Sequence, residues 1–582
     1  MRVLDNLRFV SAMAWLRGMM GPAIAGGDIL GRIGTILFCL CVTVVSVSPH
    51  AYAQTKITHT KYMFYHLEAG EIDELIDYLS KSHEKDPADL EPLFGLAAAY
   101  AEKGEIKTAM TYVQRAIDAG MPVERFLVGP RTVLAPLTGS AEFKLFLKEH
   151  PAGELLHGPM LGAVTHRSAR FWIRTLNEVP FKVRLSASKK MTPPIPFASG
   201  KTSADEDYTG VLEVTGLDPD TRYFYELVVG GRVVSLDGQP SFRTYPRPGE
   251  KSKFRVAFGG GSNNKPEFEH MWDTILIRRP LAFLGLGDNN YYNMPEPLSV
   301  SRYCYYMRHS RPEWRRMIAS TAVYAIWDDH DFAGNDSIGG PRIDVPAWKR
   351  PVWRVFGQNW VNPYYGGGDS QPGCWHDFTI GDVDFFMLDC RYYRVDPQGR
   401  DPLYTDPNAV QPSMLGPVQK KWLLDKLMAS RATFKIIAAS VPWAFEAKTG
   451  TQRSSNLGRR PGFQDTWQGF GQEREDIFST IEKHRIEGVF LISADRHRSD
   501  AWKIERENGY TFYEATSSHL TKKSTHPAMP GALFTSLGRP AYGLLTIDTT
   551  LSDPEIRYEV VKIDDTVDGT LVVKKSQLSF SK

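Results

Sequence analysis

"IWDDHDFAGND", residues 326–336, places four carboxylates and one histidine within eleven positions. It grows out of an apolar run, AVYAIW, at residues 322–327. A short, unbroken apolar run that stops abruptly at acids reads as a buried strand reaching the carboxyl edge of an α/β sheet. Carboxylates this close repel one another, so the cluster is tolerable when it surrounds positive charge.

Working outward, the same pattern recurs. FRVAF ends in Gly259-Gly260-Gly261-Ser262-Asn263-Asn264, LAFLGLG in Asp288-Asn289-Asn290-Tyr291, and VDFFML in Asp389-Cys390-Arg391. FKIIAAS ends in Val441-Pro442-Trp443, and GVFLISA in Asp495-Arg496-His497. Four of these six predicted strands deliver an acid at the edge where open α/β sheets bind ligands. One such acid would be an ordinary turn former. Four, two of them with a histidine within two residues, point to a metal centre of hard oxygens and imidazoles. Asp329 and His330 are the functional pair of the opening stretch, while Asp331, Asn335 and Asp336 are equally suited to holding loop backbone. FGGGSNN lacks the lysine of a phosphate-binding P-loop, and no Gly-x-Ser-x-Gly elbow is present.

The 582 residues call for about three or four domains. With 69 basic against 67 acidic residues, no charge bias signals a nucleic-acid partner. Arg2, Arg8, Arg17 and Arg32 precede IGTILFCLCVTVVSVS and then Ala51-Tyr52-Ala53, which reads as a signal peptide over 1–53. The expected location is therefore exported, periplasmic or secreted, with no stable membrane span after cleavage; the apolar run is short for an anchor. Beyond it stand Cys304, Cys374 and Cys390, which leave room for one bridge at most.

EAGEIDELIDYLSKSHEKDP from Glu68 and EKGEIKTAMTYVQRAIDAGMP from Glu102 set Gly70 and Gly104 at a tetratricopeptide-like spacing of 34. This helical segment, 57–150, is either a groove for a protein partner or a helical cap. Residues 155–246 switch to strand-like runs, and LDPDTRYFYEL fits the tyrosine corner of a fibronectin-like β-sandwich. After the polar linker RPGEKSK, residues 253–582 read as the α/β catalytic domain.

In order, VAFGGGS, LGLGDNNYY, WDDHDFAGND, MLDCRYYR, DTWQGFGQER and LISADRHRSD resemble the motifs of the alkaline phosphatase D (PhoD-like) metallophosphatases. GPMLGAVTHRSARFWIRT resembles that family's N-terminal sandwich, so the likeness runs from about 155 to 560. It implies a four-layer double sheet flanked by helices, and a phosphoester substrate, monoester or diester, cleaved by metal-activated water. It further implies two or more metal ions, Fe3+ and Ca2+ in the family. Asp288, Tyr291, Asp329, Asp495 and His497 would be metal ligands, and His330 would contact the phosphate or leaving group. Asp389 and Arg391 match a further motif; Arg391 is either a fork for phosphate oxygens or a salt-bridge partner. Family members commonly carry an iron-binding cysteine where this chain has Gly261, so Asn263 or Asn264 would substitute through an amide oxygen, or water would fill the gap, and calcium, manganese or zinc stay open. The alternative is a catalytically weak or inert PhoD-like binding protein that recruits a partner through its helical repeats.

Overall fold

The computed structural model describes residues 59–192, 197–399, 401–409, 411–444, 465–507 and 509–580. The signal-peptide reading of 1–53 lies outside these residues, as do Cys39 and Cys41.

Two mixed sheets form the centre. In the first, strands Lys253–Gly259, Ala282–Leu286 and Ala322–Ile326 run parallel. The late strand Ala541–Asp548 adds antiparallel to Lys253–Gly259 and carries Glu555–Lys562 and Val567–Lys574 beyond it. In the second sheet, Val383–Met387, Phe434–Ala438, Val489–Ser493 and Thr511–Ser517 run parallel, with antiparallel strands at both edges. Ala282–Leu286, Ala322–Ile326, Phe434–Ala438 and Val489–Ser493 are buried at every position. Continuous apolar runs are what strands covered on both faces require.

The sheets pack on each other through Tyr324 against Phe378, stacked at 3.7 Å, and through the Tyr558 hydroxyl, which donates to Thr516 O at 2.8 Å. Helices cover the outer faces. Trp272 and Trp314 lie over Phe283 of the first sheet. Leu423 and Leu427 of Gly416–Ala429, with Ile477 and Phe478 of Gly471–Lys483, close the core over the second. This is the expected four-layer arrangement.

The β-sandwich is present, but one of its sheets is not separate. Leu155–Gly162 pairs parallel with Ala322–Ile326 and brings Ser168–Thr175 and Thr209–Thr215 into the first catalytic sheet, which therefore has nine strands. Pro180–Ser186 and Arg222–Val229 form the core of the other sheet. Cys304, Cys374 and Cys390 are buried thiols with no bridge among them. No helix among the described residues is long and apolar enough to cross a membrane.

Residues 59–150 form helices that include two successive pairs, Met63–Ala69 with Ile72–Lys85 and Glu91–Glu102 with Ile106–Asp118. Gly70 and Gly104 sit at the equivalent turns with φ of 76° and 79°, left-handed backbone that glycine adopts without strain. The segment is docked on the catalytic domain through helix Leu298–Ser310. Tyr303 of that helix packs against Phe64 at 5.2 Å and Phe94 at 6.1 Å, and its hydroxyl donates to Glu91 at 2.6 Å. Glu91 also accepts from Arg125 at 2.7 Å. Phe94 is fully buried. Phe94→Ala is expected to lower the free energy of unfolding by about 3–5 kcal/mol, the range for emptying a packed aromatic site, read as a lower urea midpoint.

Candidate metal centre

The acids that end the predicted strands converge at one edge. Ligand atoms of Asp288, Asp329 and His330 lie within 4.8 Å of one another, and so do those of Asp328, Asp329 and Asp495. His497 Nε2 stands 3.6 Å from Asp288 Oδ2, and the Tyr291 hydroxyl donates to the same oxygen at 2.7 Å. Tight turns bring them there. Asp288, Asn293, Asp336, Asp495 and His497 all take positive φ, a conformation that stores strain in non-glycine residues and that clusters at functional sites. Gly287 precedes Asp288 at φ 99°, where a Cβ would meet the Asp328 Cβ at 2.4 Å, so only glycine lets the two strand ends approach.

Electrostatics explain why the cluster needs cations. Burial pushes Asp328 well above the usual carboxylate range; Asp329, Asp495 and Asp288 push it further, against the pull of Arg391. Burial, with Asp288 and Asp465 adding to it, raises Asp329 to about 7 despite His330 and Arg391. Burial and the Asp288 charge hold Tyr291 far above its ordinary value, so without a cation it stays a phenol donor rather than a phenolate. Asp288 Oδ1 and Asp328 Oδ2 are buried with no hydrogen-bond partner among the described residues. Orphaned carboxylate oxygens beside an imidazole fit a hard or borderline cation. An iron–thiolate bond does not fit. Gly261 has φ 73°, and a Cβ there would meet Ser518 O at 2.5 Å.

Three residues left open by the sequence take definite places. Arg391 is fully buried; it holds Asp328 at 2.6 Å and Asp465 at 2.6 Å, and donates to Ser337 O at 3.2 Å. It is therefore a salt-bridge partner that fixes Asp328, not a fork open to substrate. Asp389 accepts from Trp327 Nε1 and from the backbone of Cys374, Arg391 and Tyr392, so it shapes the turn beside the site. Asn263 stands with Asn264 and Tyr291 in the wall of a neighbouring cavity, and its backbone carbonyl accepts from Thr521. Within the opening stretch, Asp331 accepts from the backbone of Asn289 at 2.9 Å and Asn290 at 2.6 Å, while Asp336 N donates to Asp329 at 2.7 Å.

Several contributors escape sequence reading. Asp465 bridges Arg391 and Arg394. Lys522 Nζ lies 3.2 Å from both Tyr291 Oη and His497 Nε2 and brings positive charge into the site. His330 Nδ1 is 2.6 Å from Asn293 Oδ1, and Asn293 Nδ2 donates to Tyr62 Oη at 3.2 Å. Because the amide nitrogen serves Tyr62, the amide oxygen accepts from His330 Nδ1–H, which leaves Nε2 for substrate. Lys61 donates to Tyr291 O. Asp328 and Asp465 lie inside quoted motifs and Asn293 directly follows one, so all three were within reach; Tyr62 and Lys61, about 230 residues upstream of Asn293 and Tyr291, carried no signal.

A family model described as PhoD-like phosphatase matches residues 289–536, the stretch that contains Asp329, His330, Asp495 and His497. Over residues 289–536 the chain is similar to the PhoD-like phosphatase family. Asp288 and the first glycine-rich turn lie just outside that match. Residues 152–246 match a domain of unknown function, DUF7800. Alkaline phosphatase D of Bacillus subtilis (strain 168) is 22% identical over 347 residues, 53% of this chain and 56% of that protein. The chain thus spans little more than half the length of this curated relative. The solved structure of PhoD, 16% identical, superposes with a TM-score of 0.60 over 74% of this chain and 93% of that one. Purple acid phosphatase PPD1 from yellow lupin, 13% identical, gives a TM-score of 0.50 over 72% and 74% of the two chains. At these identities the likeness is one of fold: the PhoD-like domain and the sheet around it share that double-sheet framework.

Asp329 links this centre to pH. Its folded value of about 7 lies above the ordinary 3.8. In metal-free protein the retained proton stabilises the fold fully at low pH, and that contribution is lost as pH rises through about 7. Cations compete with the same proton. The rise in Tm produced by Mn2+ or Ca2+ over chelator-treated protein should therefore be larger near pH 8 than near pH 5.5. An equal rise at both would mean that Asp329 keeps no proton in the metal-free fold.

Proposed function

We propose that this chain is an exported, metal-dependent phosphoesterase that hydrolyses phosphate monoesters or diesters. The observation that carries this is the meeting of Asp288, Asp329, Asp495 and His497, far apart in sequence, around carboxylate oxygens that lack partners. The PhoD-like domain supports the same reading. Export rests on the basic N-terminus, the apolar run and Ala51-Tyr52-Ala53.

In this reading Asp288, Asp328, Asp329, Asp495 and His497 hold two cations. When bound, these offset phosphate charge and lower the pKa of water. The chain's own residues do the rest. Arg391 holds Asp328 in place and opposes the rise that burial imposes on it. Lys522, beside the Tyr291 hydroxyl that Asp288 already binds, offers a donor to a phosphate oxygen. Asn293 holds the His330 ring through Nδ1–H, so that the imidazolium form delivers its Nε2 proton to the leaving oxygen and is left neutral. Water attacks opposite that oxygen, and no covalent protein intermediate is required.

A weak or inert binding protein is the second reading, favoured by the closed thiolate position at Gly261. Metal analysis combined with p-nitrophenyl phosphate and bis-p-nitrophenyl phosphate assays separates the two. Asp288→Ala and Asp329→Ala should lose bound metal and activity together. His330→Ala should keep metal while kcat falls about 10²- to 10⁴-fold, with a smaller loss for p-nitrophenol than for an alkyl leaving group. Full activity in all three variants would remove the centre from catalysis.

A further inference from the structure

The helical segment meets the turn that carries Tyr291 through the two residues that precede its first buried side chains. Met63 and Phe64 are fully buried, and Phe64 packs against Tyr303 at 5.2 Å. That anchor fixes the short helix Thr60–Tyr62 just before it. Lys61 donates to the Tyr291 carbonyl, and the Tyr62 hydroxyl accepts from Asn293 Nδ2 at 3.2 Å. The segment thus grips the turn on either side of Tyr292.

Asn293 carries this grip to His330. Its φ of 62° is left-handed, a conformation asparagine adopts more readily than most residues. Its backbone N–H donates to His330 O at 3.4 Å, and its Oδ1 stands 2.6 Å from His330 Nδ1. The His330 ring also packs against Tyr291, with centroids 4.6 Å apart. A carboxamide has an acceptor end and a donor end of nearly the same shape, and a half-turn exchanges them. Only the acceptor suits a ring that works as a proton donor. It serves Nδ1–H in the charged ring and in the neutral ring that remains after Nε2 has given its proton to the leaving oxygen. Among the described residues, the Tyr62 hydroxyl is the partner that holds the amide by its nitrogen and so keeps the oxygen on the ring.

We infer, resting on the phosphoesterase reading, that Tyr62 is a positioning residue of the reaction: through Asn293 it holds the His330 ring with Nε2 turned to the leaving oxygen. The helical segment is then a working part of the active site, supplied from outside the PhoD-like stretch.

The test uses full-length, metal-loaded protein and two esters: glycerol 2-phosphate, whose alkoxide needs a proton to depart, and p-nitrophenyl phosphate, whose phenolate does not. Tyr62→Phe keeps the ring and removes only the hydroxyl. It should lower kcat for glycerol 2-phosphate about two- to tenfold, the weight of one hydrogen bond, with KM and bound metal unchanged. The loss on p-nitrophenyl phosphate should be smaller. In an Asn293→Ala background the same substitution should cost nothing further, because Tyr62 acts through that amide. Equal losses on both esters, no loss on either, or a further loss in the Asn293→Ala background would each overturn the inference. If the wild-type chain cleaves neither ester, the phosphoesterase reading falls. In that case, or if only the aryl ester is cleaved, positioning is read without turnover. Nitrogen NMR of protein carrying isotope-labelled histidine, with His330 assigned by His330→Gln, should show the neutral ring protonated on Nδ1 in the wild type and partly on Nε2 in Tyr62→Phe. The same tautomer in both proteins would overturn the role of Tyr62.

Discussion

Mutual repulsion among Asp288, Asp328, Asp329 and Asp495 is the constraint on which the rest of the structure depends. All four are buried or nearly so, and their charges meet at the edges of two sheets. In a low-dielectric setting such a cluster cannot stay ionised without compensation. Part of that compensation is built into the fold. Arg391 is tied to Asp328 and Asp465, Arg394 shares Asp465, and Lys522 stands against Tyr291 and His497. In the proposed reading cations and substrate would supply the remainder, at Asp288 Oδ1 and Asp328 Oδ2, which are buried without a hydrogen-bond partner. The left-handed turns at Asp288, Asp495 and His497 are a second cost of the same design, since they hold like charges together against both strain and repulsion.

The same constraint gives the outlying segments a purpose. The β-sandwich contributes three strands to the first sheet, so it stiffens the framework that carries Asp288 and Asp328. The helical segment reaches the centre directly: Tyr62 fixes Asn293, Asn293 fixes His330, and Lys61 binds the carbonyl of Tyr291. Two helical pairs are too few for a free solenoid, and here their apolar face is closed by Tyr303 rather than offered to a partner. Of the two sequence readings of this segment, the geometry supports the cap.

Much was legible in the residues. Ala282–Leu286, Ala322–Ile326, Phe434–Ala438 and Val489–Ser493 announced themselves as buried parallel strands because a strand covered on both faces has no polar side to show. Asp288, Asp329, Asp495 and His497 followed, because ligands gather where such strands end. Arg391 stayed open between phosphate fork and salt bridge because its chemistry suits a phosphate and a carboxylate equally; only its complete burial between Asp328 and Asp465 distinguishes them. Spacing places Asn263 and Asn264 on the turn beside the centre but does not aim their amides.

By itself, then, the sequence determined the layered α/β class, the strand ends that carry acids, and the helical periodicity with glycines at its turns, because these depend on local hydrophobic pattern and backbone preference. Tertiary structure alone decided that Ser518 closes the space beside Gly261, that the sandwich and catalytic sheets are continuous, and that Lys61, Tyr62 and Lys522 enter the centre. The physical reason is range. Pattern along a chain records which faces must be buried, whereas the fit of one backbone against another, and the pairing of charges hundreds of residues apart, exist only once the layers have packed.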